Sequence, residues 1–223
     1  MNKSTVEIPL KLQPGRVLKW QLSIALLLLI CHVIAMQANF NESLGIKAAL
    51  GFEYWQVALF DLDEEESFGT WFSSVNLLFA GLLCLYLSRS LGVGHKSMKP
   101  WWLTLGVGFC LMSIDEVVGL HELVNTVFDE SVWTSASLVI VGLCAIGFMP
   151  LLWHYRWRSA GLLMLSGSMF VAGAVGLEHA AGDDVNSLSY NMFTAAEETL
   201  EMLGVIIATY VILQLIASGR ASD

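Results

Sequence analysis

Charged residues are scarce in this chain. They make up 14% of its 223 residues, against about 25% in soluble globular domains, while 56% of residues are hydrophobic and the mean hydropathy is +0.64. That scarcity excludes a soluble globular protein and predicts one embedded in a membrane. Positive charge is rarer still: 11 Lys and Arg stand against 20 Asp and Glu, for a net charge of −9, so no nucleic-acid partner is expected. Cysteine is confined to Cys31, Cys84, Cys110 and Cys144, each alone in a different apolar run. Without a CxxC pair they read as small buried hydrophobes. HExxH and repeated ExxH elements are also missing, so no established metalloenzyme signature is matched.

What the chain has in abundance is apolar runs close to the roughly 20 residues that cross about 30 Å of hydrocarbon as a helix. Six are expected, over 17–40, 68–87, 101–124, 132–153, 160–181 and 192–217. The predicted fold is an all-α polytopic membrane helix bundle of about six transmembrane helices: one domain over 17–218, with tails at 1–16 and 219–223. A cleaved signal peptide is the weaker reading of the first run, because Met36 stands where a small residue would be wanted before Ala38.

Basic residues orient the bundle, since Lys and Arg are retained on the cytoplasmic side. Lys3, Lys11, Arg16, Lys19, Arg89, Lys96, Lys99, Arg156, Arg158 and Arg220 fall on one side, and Lys47 alone on the other. The expected location is therefore the plasma (inner) membrane, with both termini cytoplasmic. Trp20, Trp101, Trp102, Trp153 and Trp157 would mark the inner interface, and Trp71 and Trp133 the outer one.

Acidic residues show the opposite distribution. Only Glu7 and Asp223 fall on the cytoplasmic side; of the other 18, 14 group as DLDEEES (61–67), DEVVGLHE (115–122), GLEHAAGDD (176–184) and AAEETLE (195–201). Asp63, Glu64, Glu66, Asp129, Glu130, Asp183 and Asp184 read as solvated loop charges. Glu178, Glu197, Glu198 and Glu201 can be read either as near-interface groups or as members of a site. The third run is different, because residues 101–114 would cover only about 21 Å at 1.5 Å per residue. Asp115 and Glu116 are therefore expected inside the membrane, where ionisable groups are costly and functional by default. If the helix continues, Asp115 and Glu122 lie about 20° apart on one face, flanked by Glu116 and His121.

With Lys47 as the sole basic residue on that side, three neutralising agents remain: shared protons, imidazolium groups and bound cations. Carboxylates and imidazoles from several helices make a ligand set for iron, manganese or zinc. The candidate metal ligands are Glu65, Asp115, Glu116, His121, Glu122, Glu178, Glu197, Glu198 and Glu201, with Glu116 and Glu198 as candidate catalytic proton acceptors. His32 reads equally well as a histidine hydrogen-bonded to a neighbouring helix. Ser73, Ser74 and Ser113 read first as helix-packing hydroxyls, and Gly106, Gly108, Gly167, Gly173 and Gly176 as close-packing positions. Residues 44–60 suggest an interfacial or re-entrant segment over the outer mouth.

The segments DLDEEESFGTWFSS, LMSIDEVVGLHE, AGAVGLEHAAG and AAEETLEMLGVI, in this order, resemble a family of small six-span bacterial membrane proteins. The resemblance implies that the nine candidate ligands belong to one motif set, and implies no activity. That pattern has Asn and Pro where this chain has Ser67 and Gly69, and Met at His179. A looser likeness to seven-span ceramidase-like hydrolases, which use buried His and Asp with zinc, departs in span count and in histidine number.

Two functional classes remain. One is a membrane metalloprotein acting as an enzyme, an oxidoreductase or hydrolase, on a lipid, quinone or other small molecule entering from the membrane. The other is a proton- or metal-cation-coupled transporter or channel. The inner halves of the runs lack acidic residues, so no continuous polar path is visible, which favours a dead-ended site. An assembly or sensory partner with a structural polar core is a third reading.

Overall fold

The computed structural model describes residues 12–41, 45, 49, 51, 57–120, 130–177 and 187–218. These contain helices and turns and no strand. The helices are α1 (Pro14–Phe40), α2 (Phe68–Ser90), α3 (Lys99–Val118), α4 (Glu130–Gly147), α5 (Met149–His154), α6 (Trp157–Val171) and α7 (Leu188–Ala217). A 3₁₀ segment, Val93–Met98, precedes α3, and a π-helical turn, Ala172–Leu177, extends α6. Among the described residues, five helical stretches are long and apolar enough to cross a membrane: α1, α2, α3 with its 3₁₀ entry, α6 with its π turn, and α7. The fourth expected run is instead divided at Phe148, with Pro150 in the first turn of α5. Proline has no N–H to offer the preceding turn and its ring clashes with it, which is the local reason for a break.

Helix α7 lies between α1, α2 and α6 and supplies much of the core. On α1, the buried residues Gln21, Ala25, Leu28, His32, Ala35 and Met36 recur at helical spacing, while Leu26, Leu27, Ile30 and Ile34 on other faces are exposed. An outer surface as apolar as the core is the expected face toward lipid.

Buried clusters identify the two ends. Leu87, Leu91, Met98, Trp102, Leu151 and Leu215 pack together with Leu12 and Val17 beside them, so the helix ends carrying Arg16, Arg89 and Lys99 meet at one end of the bundle. We call this the basic end. There His95 Nδ1 and His154 Nε2 are 2.7 Å apart. Trp102, expected at the interface, is wholly buried and donates through Nε1 to Tyr155 Oη at 2.8 Å. Ala35, Met36 and Val57 pack with Phe40, Phe60, Leu188 and Met192 at the opposite, acidic end. Of the segment 44–60, residues 57–60 thus cover that end, with Val57 buried.

Small residues set the closest helix approaches. A Cβ on Gly81 would come 3.0 Å from Gly106 O, and one on Gly204 would come 2.8 Å from Ser166 O. Ser166 Oγ in turn donates to Gly204 O at 2.7 Å. Ser74 and Ser113 each donate to the other's backbone carbonyl at 2.8 Å, locking α2 to α3 as packing hydroxyls. Gly106 and Gly173 are close-packing positions as expected; Gly108, Gly167 and Gly176 have nothing among the described residues within 4 Å of a Cβ.

Candidate functional site

The acidic end is organised around His32, which is fully buried on α1. Its Nδ1 accepts from the Leu62 N–H at 3.1 Å, and its Nε2 lies 3.1 Å from the Asn191 carbonyl oxygen. A ring nitrogen that accepts a backbone N–H carries no proton, so Nε2 bears the hydrogen and donates to Asn191 O. Both nitrogens are thereby used in holding the segment before α2, and the first turn of α7, against α1. Asp61 Oδ1 stands 3.5 Å from Nδ1. His32 is a structural tether, the hydrogen-bonded alternative of the two read from sequence.

From this tether the chain runs through residues 61–66 to Ser67, which caps α2 by accepting from Thr70 N–H at 3.2 Å. Thr70 Oγ1 donates back to Glu64 O at 2.8 Å, fixing the turn. Asp63, Glu64, Glu65 and Glu66 are exposed. A side chain on Gly119 would collide with the Glu65 carboxylate, so the Glu65 side chain lies against the end of α3.

That end differs from the one expected. Helix α3 begins at Lys99 and stops at Val118, because Gly119 adopts φ 60° and its N–H bonds to Asp115 O at 2.8 Å. A left-handed glycine is a standard helix stop, available without Cβ strain. Asp115 and Glu116 therefore occupy the last turn, both half-buried, and the face expected for Asp115 with Glu122 involves a residue outside the described ones. Carboxylates in a last turn oppose the helix dipole, by about 0.3–1 kcal/mol each. Their presence there is not explained by helix stability.

On α7, capped by Ser187 accepting from Tyr190 N–H at 3.1 Å, Glu197, Glu198 and Glu201 are half-buried. They begin about 15 Å from the helix start at 1.5 Å per residue. Glu198 has Glu201, Glu116, Glu197 and Asp63 as electrostatic neighbours. Carboxylates from α7, from α3 and from the segment before α2 thus lie within electrostatic range of Glu198. Asp63 was read as a plain loop charge; its proximity to α7 depends on the His32 tether, which no local pattern reveals.

The π-helical turn of α6 packs on the same stretch of α7. A Cβ on Gly173 would come 2.7 Å from Glu197 O and 2.8 Å from Glu201 Cγ. Such turns recur at functional sites because the extra residue re-aims the side chains beyond it. His121, Glu122 and Glu178 lie outside the described residues. Among the described residues, no group of three or more His, Cys, Asp and Glu side chains is arranged to hold a metal ion.

The fold defines an integral membrane protein of the helix-bundle class. The chain belongs to the family described as "Domain of unknown function (DUF8692)", whose model matches residues 23–215. No curated protein and no solved structure matches it. The family match spans all nine candidate ligands and assigns them no role.

Proposed function

We propose that the carboxylates at the acidic end form one cation-binding centre in a membrane-embedded protein, with Glu198 at its middle. The observation carrying this reading is that Glu198, half-buried on α7, has Glu201, Glu116, Glu197 and Asp63 as electrostatic neighbours. Like charges so placed are tolerated when cations or shared protons neutralise them. The described carboxylates are not by themselves arranged to hold a metal ion, so a bound iron, manganese or zinc ion would draw further ligands from the set read in the sequence, His121, Glu122 and Glu178. A metal held there would activate water or dioxygen against a lipid, quinone or other small molecule entering from the membrane, with Glu116 or Glu198 accepting a proton. The distribution of Lys and Arg supports a plasma (inner) membrane location, with the basic end and both termini cytoplasmic.

Elemental analysis of the detergent-purified protein tests the centre. The expected result is about one transition-metal ion per chain in the wild type and little in Glu198→Gln, which keeps the side-chain volume while removing the charge. No metal in either protein would contradict metal ligation and leave protons as the neutralising cation.

A second reading, proton or cation transport, is favoured by one observation. Buried polar atoms without partners among the described residues lie on the basic side of the carboxylates.

A further inference from the structure

The connections at the basic end carry a pair of histidines remote from the carboxylates. His95 lies in the 3₁₀ segment between α2 and α3, and His154 ends α5 beside the connection into α6. Both are half-buried. His95 Nδ1 and His154 Nε2 are 2.7 Å apart, with the rings edge to face and their centroids 4.9 Å apart. A metal ion is one agent that brings two such nitrogens together. Tetrahedral zinc, at about 2.0–2.1 Å from each, would hold them about 3.3 Å apart, and among the described residues no third His, Cys, Asp or Glu completes a metal-holding group with them. At 2.7 Å the nitrogens share a proton instead, one donating its N–H to the lone pair of the other.

Protonation decides whether that bond survives. The neutral pair makes it, and so does a pair with one added proton, because an imidazolium still donates to a neutral imidazole. With two added protons both facing nitrogens carry hydrogen, neither offers a lone pair, and two positive charges meet across the contact. Partial burial and the neighbouring His95 ring lower the pKa of His154 below the ordinary histidine value. The other ionisable side chains on the elements that meet there give no relief. They are Arg16 and Lys19 on α1, Arg89 on α2, Lys96 and Lys99 around the 3₁₀ segment, Arg156 and Arg158 after α5, and the tyrosines Tyr86, Tyr210 and Tyr155, the last with its ring edge-on to His154 at 5.2 Å. Lys, Arg and Tyr keep their charge state between about pH 5 and 8. The sequence has no Asp or Glu between Glu7 and Glu42, Glu66 and Asp115, Glu130 and Glu178, or Glu201 and Asp223, so these elements bring no carboxylate to an imidazolium at this end.

The packing beneath the pair shows what it fastens. Leu91, Met98, Trp102 and Leu151 share one buried cluster with Tyr155 packed against it, and Trp102 Nε1 donates to Tyr155 Oη at 2.8 Å. Neither of those two groups titrates near neutral pH, so their bond stays as a fixed point when the histidines part.

We propose that His95 and His154 form an acid-released latch at the basic end, which ties the α2–α3 connection to the α5–α6 connection while at most one ring is charged and lets go when both are. Only N–H bonds are made and broken, with protons drawn from water. The open rings take up a second proton near the ordinary histidine pKa of about 6.5, which the closed pair resists, so closure holds above that pH and is lost as pH falls below it. One extra proton taken up on opening shifts the equilibrium toward the open form about tenfold between pH 7.5 and pH 5.5. The latch stands independently of the carboxylate centre.

The test is hydrogen–deuterium exchange on the full-length protein in detergent, read by mass spectrometry on a peptide covering 91–99 and corrected for the intrinsic pH dependence of exchange. The His95 and Lys99 N–H groups, which donate to Gly92 O and Lys96 O, should lose protection about tenfold from pH 7.5 to pH 5.5 in the wild type. That loss should vanish in His154→Phe, which keeps an aromatic ring that cannot be protonated, and in His95→Gln. The two variants remove opposite partners, so either one answers the question if the other fails to fold. Protection independent of pH in the wild type, or a loss that persists in a folded variant, overturns the latch. One more zinc ion bound per wild-type chain than per variant chain at neutral pH also overturns it, by making the two histidines metal ligands.

Discussion

Replacing His32 with leucine is expected to destabilise the protein by about 1–3 kcal/mol, the cost of a buried polar group deprived of its partner, because the Leu62 N–H loses its acceptor. Leucine has similar bulk, so the effect isolates the hydrogen bonds. Leu62 N–H and Asn191 O would lose His32 as their 3.1 Å partner, at a site with no exposure. The loss is directional as well as energetic. Without the tether, residues 61–66 and the first turn of α7 lose their common anchor, so a cysteine placed at Glu64 should become more reactive toward a thiol reagent. Thermal unfolding in detergent, read beside that reactivity, checks the expectation. Unchanged melting and unchanged reactivity would show that His32 does not hold these elements together.

The other large effect is expected at Gly173. A Cβ there would meet Glu197 O at 2.7 Å and Glu201 Cγ at 2.8 Å, and the first of these is backbone that cannot swing aside. Gly173→Val should therefore push the π turn away from α7, at the roughly 1–3 kcal/mol typical of overpacking a close contact, and displace Glu201 from Glu198. Gly167→Val is the control on the same helix, because a Cβ at Gly167 has nothing among the described residues within 4 Å. The melting temperature and the metal content should both fall in Gly173→Val and remain near wild type in Gly167→Val. Equal behaviour of the two variants would contradict the packing of the π turn against the carboxylate-bearing stretch of α7.

These effects differ in how far the sequence discloses them. The helices themselves are legible, because apolar runs of crossing length with basic residues at alternate ends leave few other folds open. The hydroxyls of Ser74 and Ser113 are legible as packing groups for the same reason. The stop at Gly119 is harder, since VVGLHE continues an apolar pattern and glycine serves close packing as readily as a left-handed turn. The division at Phe148 has a local signal in Pro150 that run length obscures. Asp63 and Gln21 illustrate a further limit. Asp63 looks like a solvated charge until a fold brings it into electrostatic range of Glu198, and Gln21 looks like a stray amide until α2 supplies Asn76. Contacts between residues distant in sequence leave no periodic trace in either segment. The π turn over Ala172–Leu177 is likewise silent, because Gly and Ala in AGAVGL are compatible with an ordinary helix.

The central claim is that carboxylates on α3 and α7 act as one centre, and a double-mutant cycle on Glu116→Gln and Glu198→Gln tests it most directly. Each substitution removes a like charge from the other's surroundings, so each alone should lower bound metal, and in chelator-treated, metal-free protein each alone should raise the melting temperature. If the two share a centre, the double variant should gain less stability than the single gains added together, with a coupling of about 0.5–3 kcal/mol. Strict additivity, with metal content unaffected by either substitution, would mean that Glu116 and Glu198 belong to separate, structurally inert positions and would contradict the account.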